Sequence, residues 1–162
     1  YLEILSSDYL KAKSKPTEDL VIELIDPISF ELNKFFYKQI GKKYQWIDRL
    51  VWENKDWINY TSNNNLKTYV LKKKDDLVGY FELIFNSKKN ECEIAYFGIL
   101  EDYFNKGFGG YMLSEALKNS FKLGAKRAWV HTCSLDHPHA IQNYKSRGMK
   151  VFKTEILKRK AV

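Results

Sequence analysis

The sequence predicts one α/β domain built on a mixed, mostly antiparallel central sheet flanked by helices. Three apolar runs of strand character follow one another over Leu66–Ile99, joined by short polar turns. The third leads through a Gly-rich turn, Asn105-Lys106-Gly107-Phe108-Gly109-Gly110, into a stretch with the 3.6-residue period of an amphipathic helix. A strand, a short helix and a last strand then alternate. At 162 residues the chain has the size of a single domain, expected over 1–162, with 1–16 as an N-terminal arm and 158–162 as a basic tail.

Tyr1–Pro16 reads as a weak strand or arm that ends in the loop Ser14-Lys15-Pro16. Asp19–Ile25 is the first clear strand, broken by Asp26-Pro27. Ser29 is placed to cap a helix with Leu32, Phe35, Phe36 and Ile40 on one face, stopping at Gly41. Lys42–Tyr60 is expected to be a second helical region, heavy in aromatics: Tyr44, Trp46, Trp52, Trp57 and Tyr60. Asn63-Asn64-Asn65 is a loop. Leu66–Lys72 and Leu77–Phe85 make a hairpin around Asp75-Asp76, and Asn86–Asn90 turns into the central strand Glu91–Ile99. Gly110–Leu123 is the central helix, with Met112, Leu113, Ala116, Leu117 and Phe121 on one face, ended by Gly124. Lys126–Cys133, Pro138–Arg147 and Val151–Leu157 complete the pattern as strand, helix and strand.

Composition narrows the class. The apolar content of 44% is that of a chain with a packed core, which excludes global disorder. No run of about 18 apolar residues is present and no signal-peptide pattern opens the chain, so the expectation is a soluble cytoplasmic protein with no membrane partner. The chain begins at Tyr1 and not at Met, so a few residues are expected to precede it. Cys92 and Cys133 both sit in apolar strand-like runs and are expected as buried reduced thiols. The net charge of +7 suits nucleic acid, an acidic partner or a polyanionic ligand, but no nucleic-acid-binding motif is recognisable. His131, His137 and His139 have no Cys or carboxylate at ligand spacing, so no metal is expected.

A helix that starts at a glycine turn directs unpaired N–H groups and a positive dipole end outward, which suits a phosphate. A Walker loop needs Ser or Thr after Gly-Lys, whereas Lys106 precedes its glycine; a dinucleotide fingerprint needs Gly where Met112 stands. A tight turn that packs a helix on a sheet gives the same letters, so the turn alone leaves both readings open. The wider pattern resembles the acetyl-CoA-binding motif of the GNAT superfamily of N-acetyltransferases, Arg/Gln-x-x-Gly-x-Gly/Ala after a strand. Here it is Phe104-x-x-Gly107-x-Gly109, with Phe104 in place of Arg or Gln. Downstream, His137-x-x-Ala140-x-x-x-Tyr144-x-x-x-Gly148-Met149 is similar to the family's second signature, Asn-x-x-Ala-x-x-x-Tyr-x-x-x-Gly-Phe. Tyr44-x-Trp46-x-Asp48-Arg49, together with Thr132–Pro138, looks like an uncharacterised bacterial branch of that family.

The resemblance implies a GNAT fold, in which the fourth and fifth strands splay apart and the pantetheine arm enters the gap. It implies transfer of acetyl from acetyl-CoA to a primary amine of a small molecule or protein, without a metal. Glu93, fourteen residues before Gly107, stands where the histone-acetyltransferase branch has its catalytic Glu, and a carboxylate inside an apolar strand has its pKa raised by desolvation. A strand-end Glu paired with a lysine explains the same letter, and Glu91 and Glu82 compete for the role. Tyr144 stands where many members place the hydroxyl that protonates the leaving thiolate. By the same resemblance Gly98, Ile99 and Leu100 offer backbone groups to the pantetheine. Asn105, Lys106, Gly107, Phe108, Gly109 and Gly110 hold the pyrophosphate, and His137 touches the pantetheine. Trp46 and Arg49 are candidates for an acceptor wall, with core packing and pairing to Asp48 or Glu53 as the plain alternative. The resemblance also leaves open a homodimer through a sheet edge. The substitution at Phe104 keeps alive a non-catalytic module that binds acyl-CoA, and a nucleic-acid-binding protein ranks third.

Overall fold

The three apolar runs form the expected meander. The structure, a computed structural model, describes residues 1–157, and the basic tail expected over 158–162 lies outside the described residues. Strands β3 (Leu66–Lys73), β4 (Asp76–Asn86) and β5 (Glu91–Ile99) pair antiparallel in sequence order. In the second turn the Asn86 side chain accepts hydrogen bonds from the Lys88 and Lys89 N–H groups at 3.1 and 3.2 Å. Strand β2 (Leu20–Leu24) extends the sheet beyond β3. On the other side β6 (Arg127–Val130) runs parallel to β5. Strands β1 (Leu2–Ile4) and β7 (Lys150–Val151) complete a sheet of order β2-β3-β4-β5-β6-β1-β7.

Alternation along the strands builds two cores. On one face Phe81, Leu83 and Ile94 meet Met112, Leu113, Ala116 and Leu117 of α3 (Phe108–Lys122), and α4 (Ala140–Ser146) adds Tyr144. On the other face Val70 and Tyr80 meet Phe36 and Ile40 of α1 (Phe30–Gly41), with Phe36 stacked on Tyr80 at 4.9 Å between centroids. Helix α2 (Asn54–Thr61) packs beside α1 and inserts the fully buried Trp57. Strand β5 carries a bulge: Glu82 opposes Tyr96 while Leu83 opposes Ile94, so Ala95 is the extra residue. The bulge resets the alternation. Tyr96 faces α1, and Phe97 faces α3 and α4.

Several elements differ from the sequence reading, each for a tertiary reason. Of the two readings of the N-terminal segment, strand or arm, Leu2–Ile4 takes the first: it lies inside the sheet, antiparallel to both β6 and β7. The helical region expected over Lys42–Tyr60 is helical only in α2. Gln45 takes a left-handed conformation at φ 59°, and Trp46 doubles back over Gly41, where a Cβ would stand 2.6 Å from its own. The α1 face is rotated from the one expected: Tyr37 is buried and Phe35 faces solvent. Ser29 holds the N-cap position, but its Oγ donates to Glu31 Oε2 at 2.9 Å and caps no amide. The strand expected over Lys126–Cys133 ends at Val130, so Cys133 is exposed, while Cys92 is buried and its thiol is pushed up to about 11. The last strand shortens from Val151–Leu157 to Lys150–Val151, since its partner β1 offers only a few residues to pair with. Among the described residues no helix is long and apolar enough to cross a membrane, and no three His, Cys, Asp or Glu side chains are grouped to hold a metal.

Gly148 seats the segment that follows β1. Its φ is +107°, and a Cβ there would collide with the Tyr9 carbonyl. Gly148→Ala is expected to cost about 2 kcal/mol or more through strain and lost contact. Urea unfolding of the two proteins measures it.

Candidate functional site

The site lies where two strands part. β5 and β6 pair only from Glu91–Ile94 to Arg127–Val130, and β5 then runs on to Ile99 without β6 beside it. The gap opens a cleft with two lobes. A lobe of about 310 Å³ is walled by Gly98, Ile99, the Gly107–Gly110 turn and Asn143. A larger lobe of about 1060 Å³ is lined by Asp48, Arg49, Glu93, Tyr96 and the loop after β6. Tyr44, Trp46, Phe97, Asp136, His137 and Tyr144 line both, so they mark the junction.

The smaller lobe is built from open backbone. Asn105 at φ 61° and Gly107 at φ 78° are both left-handed, and α3 begins at once with no side-chain cap. Alternating left-handed residues before a helix gather N–H groups into a concavity that suits an anion. Asn143 Nδ2 donates to Gly109 O at 3.1 Å and ties α4 to this first turn. Of the expected residues, Gly98, Ile99, Asn105, Gly107, Phe108, Gly109, Gly110 and His137 line the lobe, and Lys106 and Leu100 do not. The Leu100 N–H is committed to Val78 O at 2.8 Å. Phe104 lies in the apolar wall, edge-on to His137 at 4.9 Å.

At the junction, Tyr144 is buried against Phe97, and burial holds its hydroxyl well above the usual phenol range. Tyr44 stands in the sequence as part of an aromatic run and of the pattern Tyr44-x-Trp46-x-Asp48-Arg49, with no role of its own. Its hydroxyl is buried with no hydrogen-bond partner, and burial pushes it up to about 12. Burial and the neighbouring His139 lower the pKa of His137, so its imidazole is neutral near pH 7.

In the larger lobe Glu93 is half-buried, and burial raises its carboxyl above the ordinary value. Glu91 pairs with Arg127 at 3.3 Å. Glu82 is fully buried and accepts from Asn33 Nδ2 at 2.7 Å, Tyr60 OH at 2.6 Å and Arg49 Nη1 at 3.3 Å. Arg49 therefore pairs with Glu82 and not with a flanking acid. Burial alone would lower its pKa, but the Glu82 carboxylate outweighs this and holds the guanidinium charged. Five rings surround it: Tyr60 at 4.0 Å, Tyr96 at 4.3 Å, Trp52 at 4.8 Å, Trp57 at 5.5 Å and Tyr37 at 5.6 Å. In the sequence this cluster shows as the aromatic load of Lys42–Tyr60 and as a glutamate inside the apolar run Tyr80–Phe85.

The acetyltransferase (GNAT) family model matches residues 27–149. No curated protein matches the sequence significantly. Among solved structures, an aminoglycoside acetyltransferase from an uncultured soil metagenomic sample, in complex with sisomicin, superposes with a TM-score of 0.70 at 12% identity, over 89% of this chain and 97% of that one. A Bacillus subtilis acetyltransferase in complex with CoA superposes at 0.59 and 22% identity, over 80% and 75%. An IAA acetyltransferase from Bacillus cereus superposes at 0.62 and 20% identity, over 83% and 79%. At these identities the likeness is one of fold.

Glu82→Gln removes the counter-charge of a guanidinium enclosed by rings. The expected loss is about 3 kcal/mol of stability, because an uncompensated charge stays buried. Chemical denaturation of the variant checks it, with near-ultraviolet circular dichroism reporting the surrounding Tyr and Trp rings.

Proposed function

We propose, from the premise that the chain belongs to the acetyltransferase (GNAT) family, that it transfers acetyl from acetyl-CoA to a primary amine of a small molecule or protein by direct attack. The observation that carries this reading is the two-lobed cleft at the strand parting. One lobe presents open amides, the other a half-buried carboxylate, and a buried tyrosine stands between them. The fit to acetyl-CoA is chemical. The Asn105–Gly110 turn suits a pyrophosphate, Gly98 and Ile99 leave a narrow apolar path for pantetheine, and the unpartnered Tyr44 hydroxyl faces a place where a polar group is wanted.

Acetyl-CoA supplies an activated thioester. A lysine-like amine must lose a proton before it attacks, which costs roughly 4–5 kcal/mol at pH 7. Glu93 takes that proton, directly or through a water, and its raised pKa makes it a better base than an exposed glutamate. As the N–C bond forms and the C–S bond breaks, the sulfur leaves as thiolate. Tyr144 is held protonated by its burial and donates the proton that the thiolate needs. His137, neutral and at the junction, contacts the pantetheine. Trp46 walls the acceptor side, edge-on to Tyr96 at 4.9 Å, and Arg49, engaged by Glu82, shapes that wall and does not bind an acceptor carboxylate. Aromatic rings beside Asp48, Glu93 and Asp136 suit a cationic acceptor. The complex of a structural neighbour with sisomicin makes aminoglycosides a sensible part of the amine panel.

Calorimetric titration with acetyl-CoA, followed by thiol-release assays over the amine panel, tests the reading. Saturable binding with turnover is the expected result; binding without turnover on any amine would replace the enzyme with a non-catalytic acyl-CoA-binding module. Tyr144→Phe is expected to lower kcat by about 100-fold while leaving acetyl-CoA affinity intact. A normal kcat would assign Tyr144 to packing. For Glu93 the base must be ionised, so turnover rises with pH through a carboxyl pKa that lies above the reference 4.5. Glu93→Gln is expected to remove that acid limb from the kcat profile. An unchanged profile removes Glu93 from the mechanism.

A further inference from the structure

The motif that this chain resembles carries an Arg or Gln where Phe104 stands, and Phe104 brings no charge to the phosphate end of the cleft. We propose that Lys13 and Arg147 supply that charge, so that the segment following β1 is part of the acetyl-CoA site and binds its pyrophosphate. This rests on the reading that acetyl-CoA is the co-substrate.

The segment is held against the start of α3 at two points. The Lys11 N–H donates to Arg147 O at 2.9 Å, and the Lys13 N–H donates to Ser114 Oγ at 2.8 Å. Between them the two cationic side chains converge on the glycine turn. Lys13 Nζ lies 3.3 Å from where a Gly107 Cβ would be. Lys13 Cδ and Arg147 Nη1 each lie 2.7 Å from where a Gly110 Cβ would be. Gly110 thus leaves the space in which both side chains reach the first turn of α3.

Among the described residues neither cation forms an ion pair, and Arg147 Nε is buried without an acceptor. Two unneutralised cations here add to the positive end of a fifteen-residue helix whose first amides have no cap. Like charges gathered at one place repel, and a buried guanidinium N–H without an acceptor is unfavourable. A ligand with at least two negative charges removes both costs, and a pyrophosphate has the charge and the acceptor oxygens to do so. Arg147 follows α4, which also carries Tyr144, so a phosphate held here fixes the helix that presents the hydroxyl.

The test is calorimetric titration of the full chain with CoA and with dephospho-CoA, which lacks only the 3′-phosphate. Lys13→Met, Arg147→Met and the double variant are compared with the unaltered protein. Each single change is expected to weaken both ligands by about tenfold, and the double change by about a hundredfold. Lys13→Arg should retain affinity, and the double variant should show a shallower dependence of log Kd on log salt. Equal affinities in the double variant and the unaltered protein would overturn the assignment while leaving the acetyl-CoA reading intact. A loss confined to CoA would overturn the pyrophosphate assignment in favour of the 3′-phosphate. No binding by the unaltered protein would instead bring down the acetyl-CoA reading, and this inference with it. Lys13 is exposed, so its variants separate a lost ligand contact from a lost fold.

Discussion

Hydrogen bonding between β5 and β6 stops after Ile94 and Val130, and the arrangement of the site follows from that stop. A parallel pair that separates leaves β5 backbone facing a gap, and unpaired backbone groups need a partner. The bulge at Ala95 falls beside the same point. It turns Phe97 toward Tyr144 and Tyr96 toward Arg49, so a single inserted residue aims one side chain at each lobe. Without the bulge, Phe97 would share the face of Glu93, and the junction would lose its aromatic floor.

The wall of the larger lobe depends on a different kind of constraint. The turns between α1 and α2 contain no regular structure, yet they are held in place because Arg49 reaches through them to Glu82. A buried ion pair adds little net stability compared with apolar side chains of the same shape. It does fix position, because neither partner can move without leaving a buried charge alone. The surrounding rings and the Arg49 N–H bonded to Tyr37 OH at 2.9 Å make the loop an extension of the core and not a flexible cover. This wall of the larger lobe is therefore preformed.

What the sequence revealed follows from how local each signal is. The β3–β4–β5 meander shows in alternation and in the Asp75-Asp76 and Asn86–Asn90 turns, and α3 shows in the spacing of Met112, Leu113, Ala116 and Leu117. The glycine turn shows as a helix entry because Gly107, Gly109 and Gly110 stand directly before an amphipathic period. Leu2–Ile4 reads in sequence only as part of a weak strand or arm, since three residues carry no period and their partners lie more than 120 positions away. The partner of Arg49 is hidden for the same reason: Asp48 and Glu53 stand near it in sequence, whereas Glu82 stands on a strand that only the fold brings near. Cys133 is exposed although the run Lys126–Cys133 is strand-like throughout, because β6 stops at Val130, where the cleft begins.

The placement of β1 between β6 and β7 bears on how the molecule assembles. Leu2 pairs with Val130 on one side and Val151 on the other, so β1 is synthesised well before either partner exists. The meander and α3 can form from nearby residues, but this edge of the sheet closes by joining distant parts of the chain, and pairings of high sequence separation make folding slow. Until then the apolar face of Leu2 and Ile4 is uncovered, and β6 presents an unpaired edge open to other chains. Closing that edge also delivers the segment that ends at Pro16 to α3, so the sheet and the glycine-turn end of the cleft are completed together.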